Sequence, residues 1–243
     1  MDSVWYGLQC RHFTFEDRDA VVVFPDVKNA NGHLVLKTEY WGAFPDVEIQ
    51  LVKNGFHLAY LQNKTRFATK EDCDAKARFV AHLSKAYHLN GRCVPVGMSC
   101  GGAHAIRFAG FHPDLIDCIY IDAPVLNYQS YPGKIGNIDQ MHVWETEFTA
   151  AYPGIHRYQL PGFTEHPICM ADTLIVHKIP IIMVYGTEDN TVSYDENGRL
   201  LEEAFDNTDL LKTIAVPCRG HHPHGLIGDN APIIDFILKH TQD

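Results

Sequence analysis

The sequence predicts an α/β fold with a mostly parallel central sheet and helices on both faces. Two observations carry that prediction. Apolar strand-length runs alternate with amphipathic helix-length runs along most of the 243 residues. In the stretch Val94–Gly102 an apolar strand runs directly into a helix through Gly97-x-Ser99-x-Gly101. The alternation breaks once, between residues 125 and 177.

Taken in order, residues 4–25 have the pattern of a β-hairpin. Trp5–Phe15 carries apolar and aromatic residues, Glu16–Asp19 is a polar turn, and Ala20–Phe24 is a short strand stopped by Pro25. The turn-rich stretch Asp26–Gly32 leads into a strand at His33–Lys37, a loop with three aromatics at Thr38–Pro45, and a helix at Asp46–Asn54. Phe56–Leu61 is the next strand. Lys70–His88 repeats apolar residues at three- and four-residue steps, the period of a helix with one face on a sheet. After the elbow, Ala103–Phe111 is small or apolar on both faces, so a buried helix is expected there, followed by a strand at Ile116–Ile121. Beyond residue 177 the rhythm resumes with a strand at Pro180–Tyr185, a helix at Asp195–Phe205, a strand at Leu211–Val216 and a terminal helix around Pro232–His240.

The elbow is the chemically informative stretch. A serine can be presented from a very sharp strand-to-helix turn only if the residues two before and two after it let the backbones pass, and Gly97 and Gly101 do so. With five serines and 18 glycines in the chain, an accidental match is expected about 0.03 times per chain. Ser99 is therefore the candidate nucleophile. A serine hydroxyl is weak at neutral pH and needs an imidazole to take its proton and a carboxylate to orient that imidazole. Asp189 follows the Pro180–Tyr185 strand, with Glu188 adjacent and Asp122 after the preceding strand as alternatives. His221, His222 and His224 follow the last strand. Cys100 sits beside the apex of the turn rather than on it, so its thiol is expected to turn away.

Composition bounds the partners. A hydrophobic content of 46% and a charged content of 21% belong to an ordinary globular chain, without low-complexity segments. The net charge of −10, without clustered Lys or Arg, argues against nucleic acid and anionic membrane surfaces. No apolar run approaches the ~20 residues of a membrane span, and no basic-then-apolar leader opens the chain. Seven scattered cysteines without Cys-x-x-Cys spacing are best accounted for as free thiols in a reducing, cytoplasmic setting. His-His-Pro-His lacks the accompanying ligands of a zinc site, so neither metal nor cofactor is expected.

The elbow, the alternation and the chain order Ser99, Asp189, His221 resemble the α/β-hydrolase family over nearly the whole chain. The resemblance implies a domain spanning 1–243, with 125–177 as a candidate lid insertion. It implies Ser99 as nucleophile and Asp189 as the orienting carboxylate. The base falls to His221, because the family places its histidine directly after a glycine. It also implies two oxyanion donors: the Cys100 N–H and a second from the loop after the His33–Lys37 strand, near Glu39 or Tyr40. Lys37-Thr-Glu-Tyr-Trp-Gly42 departs there from the family's common His-Gly.

A narrower resemblance rests on Thr38-Glu39, Gly55-Phe-His57, Asp122-Ala-Pro-Val125 and Gly220-His-His-Pro-His224. These segments are similar to small bacterial α/β-hydrolases associated with carbohydrate use. It implies acyl groups on sugars as substrates, with Trp41 and Trp144 as stacking surfaces and His222 lining the pocket. The expectation is a serine esterase acting on a small ester with a short acyl group. The alternatives are a peptidase, amidase or thioesterase of the same fold, and an inactive binding protein.

Overall fold

The computed structural model describes residues 1–28 and 30–242; Asn29, within the turn-rich stretch after the first hairpin, and Asp243 lie outside it. Nine strands among the described residues form one sheet in the order β1-β2-β3-β5-β4-β6-β7-β8-β9. They are β1 (Asp2–Trp5), β2 (Leu8–Phe15), β3 (Arg18–Val23), β4 (Leu34–Lys37), β5 (His57–Leu61), β6 (Val94–Met98), β7 (Ile119–Asp122), β8 (Ile181–Gly186) and β9 (Leu211–Val216). The strands from β5 to β9 pair in parallel, while β1, β2 and β3 form an antiparallel flank on β5. The expected first strand is two strands, because Tyr6-Gly7 is itself a tight turn with φ of 48° and 82°. The second hairpin closes at Glu16-Asp17, again with both φ positive, the geometry that matches the twist of paired strands.

Helices cover both faces. On one side α1 (Asp46–Lys53) packs with α8 (Ala231–His240) over Val35, Val94, Tyr120 and Ile182. On the other lie α2 (Lys70–Tyr87), α3 (Cys100–Phe111), α6 (Ala171–Val176) and α7 (Gly198–Phe205), over Leu36, Ile119, Ile121 and Met183. No helix among the described residues is long and apolar enough to cross a membrane. α3 starts three residues earlier than the apolar pattern indicates, because the turn is compressed into Ser99 alone (φ 53°, ψ −122°). Its polar residues His104 and Arg107 are fully buried. Arg107 donates to the Ala68 carbonyl at 2.7 Å and pairs with Glu165, so its charge is met.

Between β7 and α6 the chain leaves the sheet. α4 (Ile138–Val143) continues through a π-helical turn at Trp144–Phe148 into α5 (Thr149–Ala151). The residues around Asp139–Tyr152, whose pattern is that of one helix, are thus helical but wider in the middle. The rings of this segment form a third apolar cluster with Phe67, Cys100 and Ala103 of the main body. Phe148 is its centre, with rings of Phe67, Tyr128, Trp144, Tyr152 and Phe163 within 6.3 Å. The candidate lid reaches residue 177 by sequence, yet Ala171 and Leu174 belong to the main core against α3. The insertion ends before α6, whose short amphipathic run was masked by the histidine- and proline-rich residues preceding it.

Candidate active site

Parallel strands align their carboxyl ends, and three of those ends supply the site. Ser99 follows β6, Asp189 follows β8, and His221 follows β9. His221 Nε2 lies 3.1 Å from Ser99 Oγ, and His221 Nδ1 lies 2.7 Å from Asp189 Oδ2. The other Asp189 oxygen accepts the N–H groups of Thr191 and Val192, both at 2.9 Å. Burial works to raise the Asp189 carboxyl, but the His221 hydrogen bond and those two backbone donors hold it below the usual range. An ionised Asp189 fixes the proton of neutral His221 on Nδ1 and leaves Nε2 free to accept from the serine.

The elbow is locked by its backbone. Ser99 N–H donates to the Asp122 carbonyl at 3.0 Å, and its carbonyl accepts from Gly102 and Val125. A Cβ on Gly97 would meet the Gly101 carbonyl oxygen at 2.1 Å, whereas one on Gly101 would touch Glu39 and Thr38 at 3.3 Å. The two glycines of the motif are therefore unequal: position 97 excludes any side chain and position 101 only crowds it. Gly97→Ala is expected to destabilise the protein by about 3 kcal/mol or more, and Gly101→Ala by clearly less. Urea unfolding of the two variants checks this; equal midpoints would contradict it.

Cys100 opens α3, so its N–H is among the first-turn donors that have no intrahelical partner, one residue from Ser99. Its thiol faces the apolar cluster under the insertion, and burial pushes it up to about 11, out of the range of a reactive thiolate. The loop expected to give the second donor is held against the elbow: Thr38 Oγ1 donates to the carbonyls of Gly101 (2.7 Å) and Val96 (3.1 Å). Below it, fully buried Lys37 pairs with Glu48 of α1 and donates to the Ala43 carbonyl at 3.3 Å, anchoring both ends of the turn. Burial pushes the Glu39 carboxyl up, opposed by Asn63, Lys76 and the Tyr40 N–H. Tyr40 has a φ of 57°, and its side chain lines the cavity.

That cavity, about 360 Å³, contains Ser99, His221 and the expected His222, whose ring stacks on Phe44 at 5.4 Å. Trp41 and Trp144 do not line it. Trp41 is sandwiched between Trp5 and Tyr60, and Trp144 between Phe148 and the Arg157 guanidinium, so packing has consumed the faces expected to stack on substrate. Arg66, Phe44 and Tyr131 line the cavity without having been singled out by sequence. Each sits in a loop with no motif. Only the aromatic richness of the insertion hinted at Tyr131.

The alternative acid, Asp122, has a different task. Its carboxylate is bidentate with Arg219 (2.6 and 3.1 Å) and accepts from Gly225 N–H at 2.7 Å and His224 Nδ1 at 3.1 Å, all largely buried. It ties down both ends of the loop that carries His221. Glu188 contributes only backbone to this region, bonding to Arg219 and Asn190.

Comparison with solved structures places the chain in a known architecture. Over 96% of its length it superposes on 40% of an acylaminoacyl peptidase from Pyrococcus horikoshii, with a TM-score of 0.71 and 14% identity. Porphyromonas gingivalis dipeptidyl peptidase 4 is matched over 96% of this chain and 34% of its own, with a TM-score of 0.66 and 14% identity. A puromycin hydrolase is matched over 89% and 36%, with a TM-score of 0.65 and 15% identity. The chain has the α/β-hydrolase fold. It spans well under half the length of these proteins. Protein-family models give no match to the sequence, and neither do curated proteins.

Proposed function

We propose that this protein is a serine hydrolase that cleaves small carboxylic esters through an acyl-enzyme. The observation that carries the proposal is the unbroken chain from Asp189 through His221 to Ser99 Oγ, at 2.7 and 3.1 Å, opening on a cavity of about 360 Å³. Ser99 Oγ attacks the ester carbonyl as His221 Nε2 takes its proton, and the carbonyl oxygen becomes an oxyanion facing the Cys100 N–H. His221 returns the proton to the departing alcohol, and water, activated by the same imidazole, releases the acid. The second oxyanion donor is proposed to come from the loop near Glu39 or Tyr40. The small cavity favours a short acyl group.

The names of the similar structures favour a second reading, peptide hydrolysis. A peptidase that grips a free amino end needs an anionic residue for it, and no Asp or Glu occurs among the described residues lining this cavity. A panel of p-nitrophenyl esters of increasing chain length, run beside peptide p-nitroanilides, separates the two. Turnover is expected to peak at short acyl chains and to exceed that of the anilides by at least about 100-fold. Equal or faster anilide cleavage would shift the assignment to a peptidase.

A further inference from the structure

The described residues lining the cavity beside Ser99 carry one permanent charge, the Arg66 guanidinium. The protein carries a net charge of −10, yet the described residues lining the cavity include Arg66 and three histidines and no carboxylate. The lining is also divided. Phe44 stacks on His222 and meets His224 edge-on. Arg66, Tyr40 and Tyr131 make up another part of the lining. The two phenols and the guanidinium are hydrogen-bond donors. Glu147 of the insertion takes one Nη of Arg66 at 2.6 Å but does not line the cavity, and its side chain is 40% exposed. The Arg66 Nε–H is buried and has no acceptor among the described residues.

We propose that Arg66, supported by Tyr40 and Tyr131, selects esters that carry a carboxylate, which makes the substrate class half-esters or esters of hydroxy acids. This rests on the serine-esterase reading and sharpens it. A planar guanidinium holding a carboxylate gives a charge-assisted, geometrically specific contact that a neutral substrate lacks. Such a contact is worth about a 10- to 100-fold preference at a partly buried site.

The test compares kcat/KM for p-nitrophenyl hemiglutarate against p-nitrophenyl butyrate, and for 4-acetoxybenzoate against phenyl acetate. The first pair places the charge on the acyl side, the second on the alcohol side. Wild-type protein is expected to favour the charged member of at least one pair by about tenfold or more, and the favoured pair identifies the side. In Arg66→Gln the ratio should collapse towards unity, and Arg66→Lys should keep part of it. A wild-type ratio near one in both pairs, or a ratio unmoved in Arg66→Gln, overturns the proposal while leaving the esterase reading intact. If no ester of either kind is cleaved, the esterase reading fails. The charge preference is then read by calorimetric binding of the same esters to Ser99→Ala, where equal affinity for charged and neutral members rejects it.

Discussion

Ser99→Ala is expected to lower kcat on short p-nitrophenyl esters by about 10⁴- to 10⁶-fold and to abolish labelling by a fluorophosphonate probe. The size of the effect follows from the site acting as a unit. His221 has no proton to accept once the Oγ is gone, and the oxyanion donors then act only on attack by water. The structural cost is small, because Ser99 makes its anchoring bonds through backbone N–H and carbonyl, which alanine retains. Alanine also tolerates the φ of 53° no worse than serine. Loss of turnover with an unchanged urea midpoint is the expected pair of results. Retention of more than a tenth of the activity would remove Ser99 from the nucleophile's role. Label recovered on Cys100 would point to the neighbouring thiol instead.

The second large effect is expected at Asp122. Asp122→Ala leaves Arg219 buried with its charge unmatched, and breaking one half of such a pair costs about 3–5 kcal/mol. The loop from Arg219 to Gly225 also loses three of its anchors, so His221 drifts from Ser99 and kcat falls about 100-fold. Asp189→Ala should invert this pattern. Its kcat falls about 10⁴-fold, as expected when the imidazole loses its orienting carboxylate, with a smaller loss of stability. Chemical unfolding and kcat measured on both variants separate the carboxylate that orients the base from the one that holds its loop. Full activity in Asp189→Ala, with none in a folded Asp122→Ala, would exchange their roles.

The parts of this site that depend on chain order and strand ends were legible in the sequence. Gly97, Ser99 and Gly101 announce a turn that few other functions require, and Asp189 and His221 each follow an apolar run of strand length. What was not legible depends on side-chain direction. Trp41 and Trp144 have the chemistry of stacking platforms, but which face of a ring is free is decided by neighbours far away in sequence, Trp5 and Tyr60 for one, Phe148 and Arg157 for the other. Arg66 carries no local signal. It lies in the loop between β5 and α2, and only the packing of that loop against the elbow brings it to the cavity. The break at Tyr6-Gly7 was hidden for a simpler reason, since apolar residues continue on both sides of a two-residue turn.

The ring cluster around Phe148 has a consequence for how this molecule can change over generations. Ser99, Asp189 and His221 stand at the ends of strands buried in the main core, whereas the segment between β7 and α6 is held by its ring cluster, by the Arg66–Glu147, Arg107–Glu165 and Lys134–Glu196 pairs, and by hydrogen bonds from Tyr128 and Tyr152 to the Phe67 carbonyl and from the Leu126 and Asn127 N–H groups to Asn197. Changes within it are therefore expected to spare the Ser99–His221 spacing where Val125, whose N–H meets the Ser99 carbonyl, is kept and a ring still fills the place of Phe148. The strand ends that carry Ser99, Asp189 and His221 and the segment that lends Tyr131 to the cavity wall thus rest on largely separate sets of contacts.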